Sequence, residues 1–180
     1  MLRKLNVFTV LGMLLCFAAH GIMGSLKLMG ADTSALKAAA WAGLCFIAAH
    51  IVITSILTEQ TLYALKRSGA GYFRNNLLFW ARRISGFAIV IPLAVHLFIF
   101  RSGDTAAFRL QPFTPPVLVF HILMIVTIAF HVITNIKPLL ISLGVKDRKA
   151  FSADILFIIS VLMLIFTAAF SVYYARWARH

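Results

Sequence analysis

The sequence predicts an all-α fold: an integral membrane bundle of five transmembrane helices with the N-terminus inside and the C-terminus outside. Three observations predict it. Of the 180 residues, 62% are hydrophobic and only 12% charged, and the mean hydropathy is +0.95, a balance outside the range of soluble domains. The apolar residues fall into five runs, each close to the ~20 residues that cross a hydrocarbon layer about 30 Å thick. The basic residues collect at the ends of those runs, where a membrane boundary would hold them.

The first run is Leu5–Gly24. Met1–Lys4 ahead of it has the look of a signal peptide, but the run is long enough to span and is read as a retained first helix. The second is Leu36–Thr58. The third, Leu77–Phe100, is interrupted by Arg82 and Arg83, so its clean part begins near Ile84 and the arginines belong at the interface. Pro92 lies inside it and should kink it, as membrane helices tolerate. The fourth is Pro115–Ile136, with Pro112, Pro115 and Pro116 at its start and Pro138 marking its end. The fifth is Asp154–Tyr174. The segments Glu59–Asn76 and Lys137–Ala153 are expected as loops on the inner side, and Ser25–Ala35 and Arg101–Thr114 as loops on the outer side. Eleven basic residues then lie inside and six outside, which sets the orientation. The whole chain, residues 1–180, is a single transmembrane domain with no room for a separate soluble one.

A net charge of +12 would suggest nucleic acid in a soluble protein. Here topology and lipid contact account for it, and no nucleic-acid partner is expected. Cys16 and Cys45 lie in apolar runs with no Cys-x-x-Cys spacing, so they read as packed free thiols.

The candidate site is a set of histidines, one in each of the first four spans: His20, His50, His96 and His131. An ionisable side chain at membrane depth is costly and therefore a functional-site hypothesis. At 1.5 Å per residue, His20 and His96 lie roughly 9 and 6 Å outward of the membrane centre, and His50 and His131 roughly 4 and 7 Å inward. Imidazoles from facing helices supply a closed axial pair for haem iron, which disfavours oxygen chemistry and leaves electron transfer. The expectation is two haem b groups, the outer held by His20 and His96 and the inner by His50 and His131. His121, at the outer start of the fourth span, is an alternative to His20 or His96. Arg82, Arg83 and Lys137 are candidate partners for the haem propionates, with Arg101 and Lys27 weaker ones on the outer side. Thr127, one turn before His131, is placed to bond a backbone carbonyl near that ligand. The segment Leu15–His20 echoes Leu44–His50, with small residues ahead of each histidine that would let a flat ring lie against the helix.

Five helices with histidines in the first four resemble the di-haem cytochrome b membrane anchor of succinate:quinone oxidoreductases, the succinate dehydrogenases and fumarate reductases. Trp80-Ala81-Arg82-Arg83-Ile84-Ser85-Gly86, followed by His96, is similar to that family's Arg-x-Ser/Thr-Gly lead into a haem helix. His131-Val132-Ile133-Thr134-Asn135-Ile136-Lys137 is similar to its inner ligand turn. The resemblance implies a subunit of an enzyme complex that carries no catalytic residues itself. It implies an iron–sulfur subunit and a flavoprotein subunit on the cytoplasmic side, docked on the basic inner loops, and a quinone substrate of the menaquinone type, in a bacterial cytoplasmic membrane. Some members place a glutamate two residues before the inner ligand of the fourth helix. Here that residue is Ala129, which argues against a glutamate-based proton path. Membrane cytochromes of hydrogenases or formate dehydrogenases tend to place two ligands in one helix, unlike this chain. A haem-free transporter or scaffold would use its histidines as contacts between helices.

Overall fold

The computed structural model describes residues 1–31, 36–69, 76–100 and 113–177. Among them are five helices: α1 (Leu2–Leu28), α2 (Leu36–Ser68), α3 (Leu77–Phe100), α4 (Pro115–Ser142) and α5 (Arg148–Trp177). Each is long and apolar enough to cross a membrane. Large apolar side chains cover the outside, with Leu15 73% and Phe98 82% exposed. In lipid this is the favourable arrangement, because the surrounding tails are as apolar as the side chains.

Around the bundle the direct neighbours run α2, α1, α5, α4, α3, and α1 also touches α4 lightly. No comparable interface joins α2 to α3 among the described residues, so the ring of helices has a seam there. The α1–α2 pair is close because small residues meet. A Cβ added to Gly43 would lie 3.3 Å from the Cβ of Cys16, and the Phe46 ring lies against Gly12. The echo between Leu15–His20 and Leu44–His50 therefore falls at a helix crossing, and the small residues admit a neighbouring helix and its side chains. The tightest packing is at the end away from the N-terminus. There Leu28, Phe113, Phe166, Ala169, Phe170 and Tyr173 are buried together.

Several expected boundaries need correction. Glu59–Asn76 is not a loop throughout, since α2 continues to Ser68. Its extra turns contain good helix formers, including Leu62, Ala64, Leu65, Lys66 and Arg67. Likewise α5 begins at Arg148, inside the expected loop Lys137–Ala153, with the Asp147 carboxylate accepting from the Ala150 amide at 3.3 Å. At the other end, Pro115 and Pro116 occupy the first positions of α4, where a missing N–H costs nothing.

Pro138 does not end α4, which runs on to Ser142. A proline there deprives the Thr134 carbonyl of its usual helical donor. The Arg82 side chain replaces it, with Nε donating to the Thr134 oxygen at 2.9 Å. An interior carbonyl in hydrocarbon would otherwise be costly. The helix survives its proline because a neighbouring helix supplies the bond.

Candidate functional site

The structure brings the histidines into two groups. At the end holding the N-terminus, His131 from α4 lies against the start of α3. Its Nδ1 is 3.0 Å from Ser85 Oγ, and that hydroxyl is also 3.2 Å from the Arg82 carbonyl. Ser85 is buried, at 5% exposure. A Cβ on the next residue, Gly86, would come within 3.1 Å of His131 Cε1. Glycine here is a matter of space, since it lets the imidazole lie on the α3 backbone. Below the ring, Asn135 Nδ2 donates to the His131 carbonyl at 2.7 Å, and Thr134 Oγ1 donates to the same carbonyl at 3.0 Å.

His50, on α2, has His131 and Arg83 as its charged or titratable neighbours. Its Nδ1 is buried without a hydrogen-bond partner, while Thr54 Oγ1 donates to its carbonyl at 2.7 Å. The facing imidazoles are thus unlike. His131 is clamped through Nδ1, whereas His50 presents a bare Nδ1.

Toward the opposite end, the His20 and His96 rings have centroids 6.0 Å apart with planes at 90°. Both rings bury Nδ1 without a partner. His121 joins them, its centroid 5.4 Å from that of His96. Its surroundings differ. It is 1% exposed, and its Nδ1 is 2.7 Å from the Val117 carbonyl, which therefore accepts. The Phe170 centroid is 4.6 Å away, that of Phe113 5.3 Å and that of Phe100 5.7 Å. His121 is an enclosed part of the aromatic packing, while His20 and His96 are only half-buried.

Imidazole is a ligand for haem iron, and the unpartnered, buried Nδ1 atoms of His20, His50 and His96 are nitrogen donors of the type such a group takes. Ligating histidines usually donate their second N–H to a fixed acceptor, and His131 has such a partner in Ser85. No group of three His, Cys, Asp or Glu among the described residues is arranged to hold a metal ion by itself, so the pairs are the relevant units.

The other candidates are less uniform. Arg82 is committed through Nε to the Thr134 carbonyl. The Arg83 guanidinium lies 4.9 Å from the centre of the Phe79 ring, a cation–π contact. Lys137 is exposed, and Lys27 sits in the last turn of α1. Thr127 bonds the Leu123 carbonyl at 2.7 Å, a turn further from His131 than expected. Ala129 is buried at 5% exposure. Arg101 lies outside the described residues. Sequence reasoning missed the work of Ser85, Gly86 and Asn135, although all three lay within the two stretches that carry the resemblance.

The fold and the site together define a class, a multi-pass helical membrane protein with imidazoles paired inside it. Beyond that class, comparison with family models, characterised proteins and solved structures yields no match.

Proposed function

We propose that the chain is a transmembrane electron-transfer subunit, the di-haem cytochrome b anchor of a succinate:quinone oxidoreductase-type complex. The observation that carries this reading is the arrangement of imidazoles in two groups, His20 with His96 and His50 with His131, contributed by four different helices. Histidines serving only as helix contacts have no need of such pairing.

In this reading His20 and His96 hold one haem b and His50 and His131 the other. When bound, the haems would supply one-electron redox chemistry. The chain's own residues do the rest. Ser85 fixes the His131 tautomer and ring plane, which raises ligand basicity. Gly86 keeps the α3 backbone clear of that ring. The lipid-facing apolar surface excludes water and keeps the site's dielectric low. The basic residues of the N-terminal end, placed on the cytoplasmic side of a bacterial membrane, would meet the iron–sulfur and flavoprotein subunits, and a menaquinone-type quinone would exchange electrons with the membrane pool.

The test is colour. Purified protein should give a reduced-minus-oxidised b-type spectrum and about two haems per chain, the stoichiometry for paired axial ligands. A folded but colourless preparation would overturn the proposal. Copurification of flavin and iron–sulfur chains would support the larger assembly. His121 favours the second reading, histidine as glue between helices, because its Nδ1 bonds the Val117 carbonyl of its own helix and aromatic rings enclose it, leaving only Nε2 without a partner.

A further inference from the structure

A recess adjoins the His50–His131 group on its N-terminal side. It occupies about 540 Å³ at the N-terminal end and is lined by residues of α1, α2 and α3, beside the seam. Arg3 enters it from α1 and Arg83 from α3, while α2 supplies Gln60 and Thr61 with Leu57 and Leu65. Two arginines from different helices thus line one recess together with a glutamine. Thr61 Oγ1 already donates to the Leu57 carbonyl at 2.8 Å, so it offers only lone pairs. A recess with two cationic side chains and no acid in its lining suits an oxyanion, and guanidinium matches phosphate oxygens in a bidentate fork.

Depth selects the source of that oxyanion. Gln60 is ten residues beyond His50, about 15 Å along the helix, and so about 19 Å from the membrane centre on the depth argued for His50. Hydrocarbon extends about 15 Å from the centre and headgroups to about 20–22 Å. The recess is therefore level with lipid phosphates. A carboxylate on a ring centred at His50 would lie shallower. Leu57 and Leu65 provide an apolar wall beside the polar groups.

We propose that this recess binds the phosphodiester group of an anionic phospholipid, held by Arg3 and Arg83. The proposal does not rest on the haem reading. The experiment uses the full chain in detergent, exchanged with dioleoyl phosphatidylglycerol or dioleoyl phosphatidylcholine and examined by native mass spectrometry. Phosphatidylglycerol should be retained at least about fivefold over phosphatidylcholine, as expected for about one cationic contact at a membrane surface. Arg3→Gln and Arg83→Gln should each lower that retention by about the same factor, and Lys149→Gln should not. Arg3 is exposed near the start of α1, so its variant keeps the fold, checked by circular dichroism.

Equal retention of the two lipids would overturn the proposal. So would unchanged phosphatidylglycerol binding in both arginine variants. Binding of inorganic phosphate that outcompetes the lipid would assign the site to a free anion instead. Loss of haem from Arg83→Gln with lipid retention intact would give Arg83 to a haem carboxylate and overturn the proposal.

Discussion

The two histidine groups are built on opposite plans. At the N-terminal end the imidazole of His131 is seated by polar chemistry, with Ser85 on its Nδ1 and hydrogen bonds from Asn135 and Thr134 to its own carbonyl. At the other end His20 and His96 meet edge to face beside an aromatic wall, where Phe100 and His121 adjoin His96. A hydrogen-bonded seat fixes one ring nitrogen and frees the other. An aromatic wall fixes position by shape and leaves Nδ1 of each ring without a partner. In the proposed cytochrome the first kind of site should be sensitive to single polar changes, and the second to changes of volume.

The largest expected effects come from the ligands themselves. His50→Ala or His131→Ala should remove one haem, and His20→Ala or His96→Ala the other, halving the haem measured by pyridine haemochromogen in each case. Retention of both haems in His96→Ala would break the pairing and promote His121. His121→Ala should keep both, because its ring belongs to the core.

Next is Ser85→Ala, which leaves His131 Nδ1 without its partner. Loss of such a supporting bond should weaken haem retention at that site by about 10–100-fold and shift its reduction potential, while the His20–His96 site keeps its spectrum. If haem titration finds both sites equally affected, the two plans are not independent.

A smaller effect tests the scaffold. Arg82→Met strips the donor from the Thr134 carbonyl and should cost about 1–3 kcal/mol of stability, measured by unfolding in detergent mixtures. In a Pro138→Ala background the restored amide should serve that carbonyl. The penalty for Arg82→Met should then fall by roughly 1 kcal/mol, a coupling read from a double-mutant cycle. Additive penalties would show that the bond contributes nothing.

The smallest is Gly86→Ala. Its Cβ would lie 3.1 Å from His131 Cε1, so the ring must give by a few tenths of an ångström. A modest change in the spectrum of that haem alone is expected. Equal changes at both would mean that α3 moves as a whole.

Much of the fold was legible in the residues. Apolar runs of membrane length gave five helices, because a hydrocarbon layer leaves the backbone little choice. Helix ends were less legible. Hydropathy marks where lipid stops and not where hydrogen bonding stops, so α2 and α4 continue past Thr58 and Ile136. Pro138 misled for a related reason, since its remedy is 56 positions away at Arg82 and no local pattern reveals it. At the site, depth arithmetic placed His20 beside His96. What it could not supply was rotation, the detail that sends the His121 ring into the aromatic core and sets Ser85 opposite His131.

The bond between Arg82 and the Thr134 carbonyl ties two positions into one hereditary unit. A chain that replaces Pro138 regains an amide hydrogen there and releases Arg82 from its post, free to drift or to take up other duties. A chain that loses the arginine first strands an acceptor in the bundle interior. Among descendants of this sequence the proline should therefore depart before the arginine, and seldom the reverse.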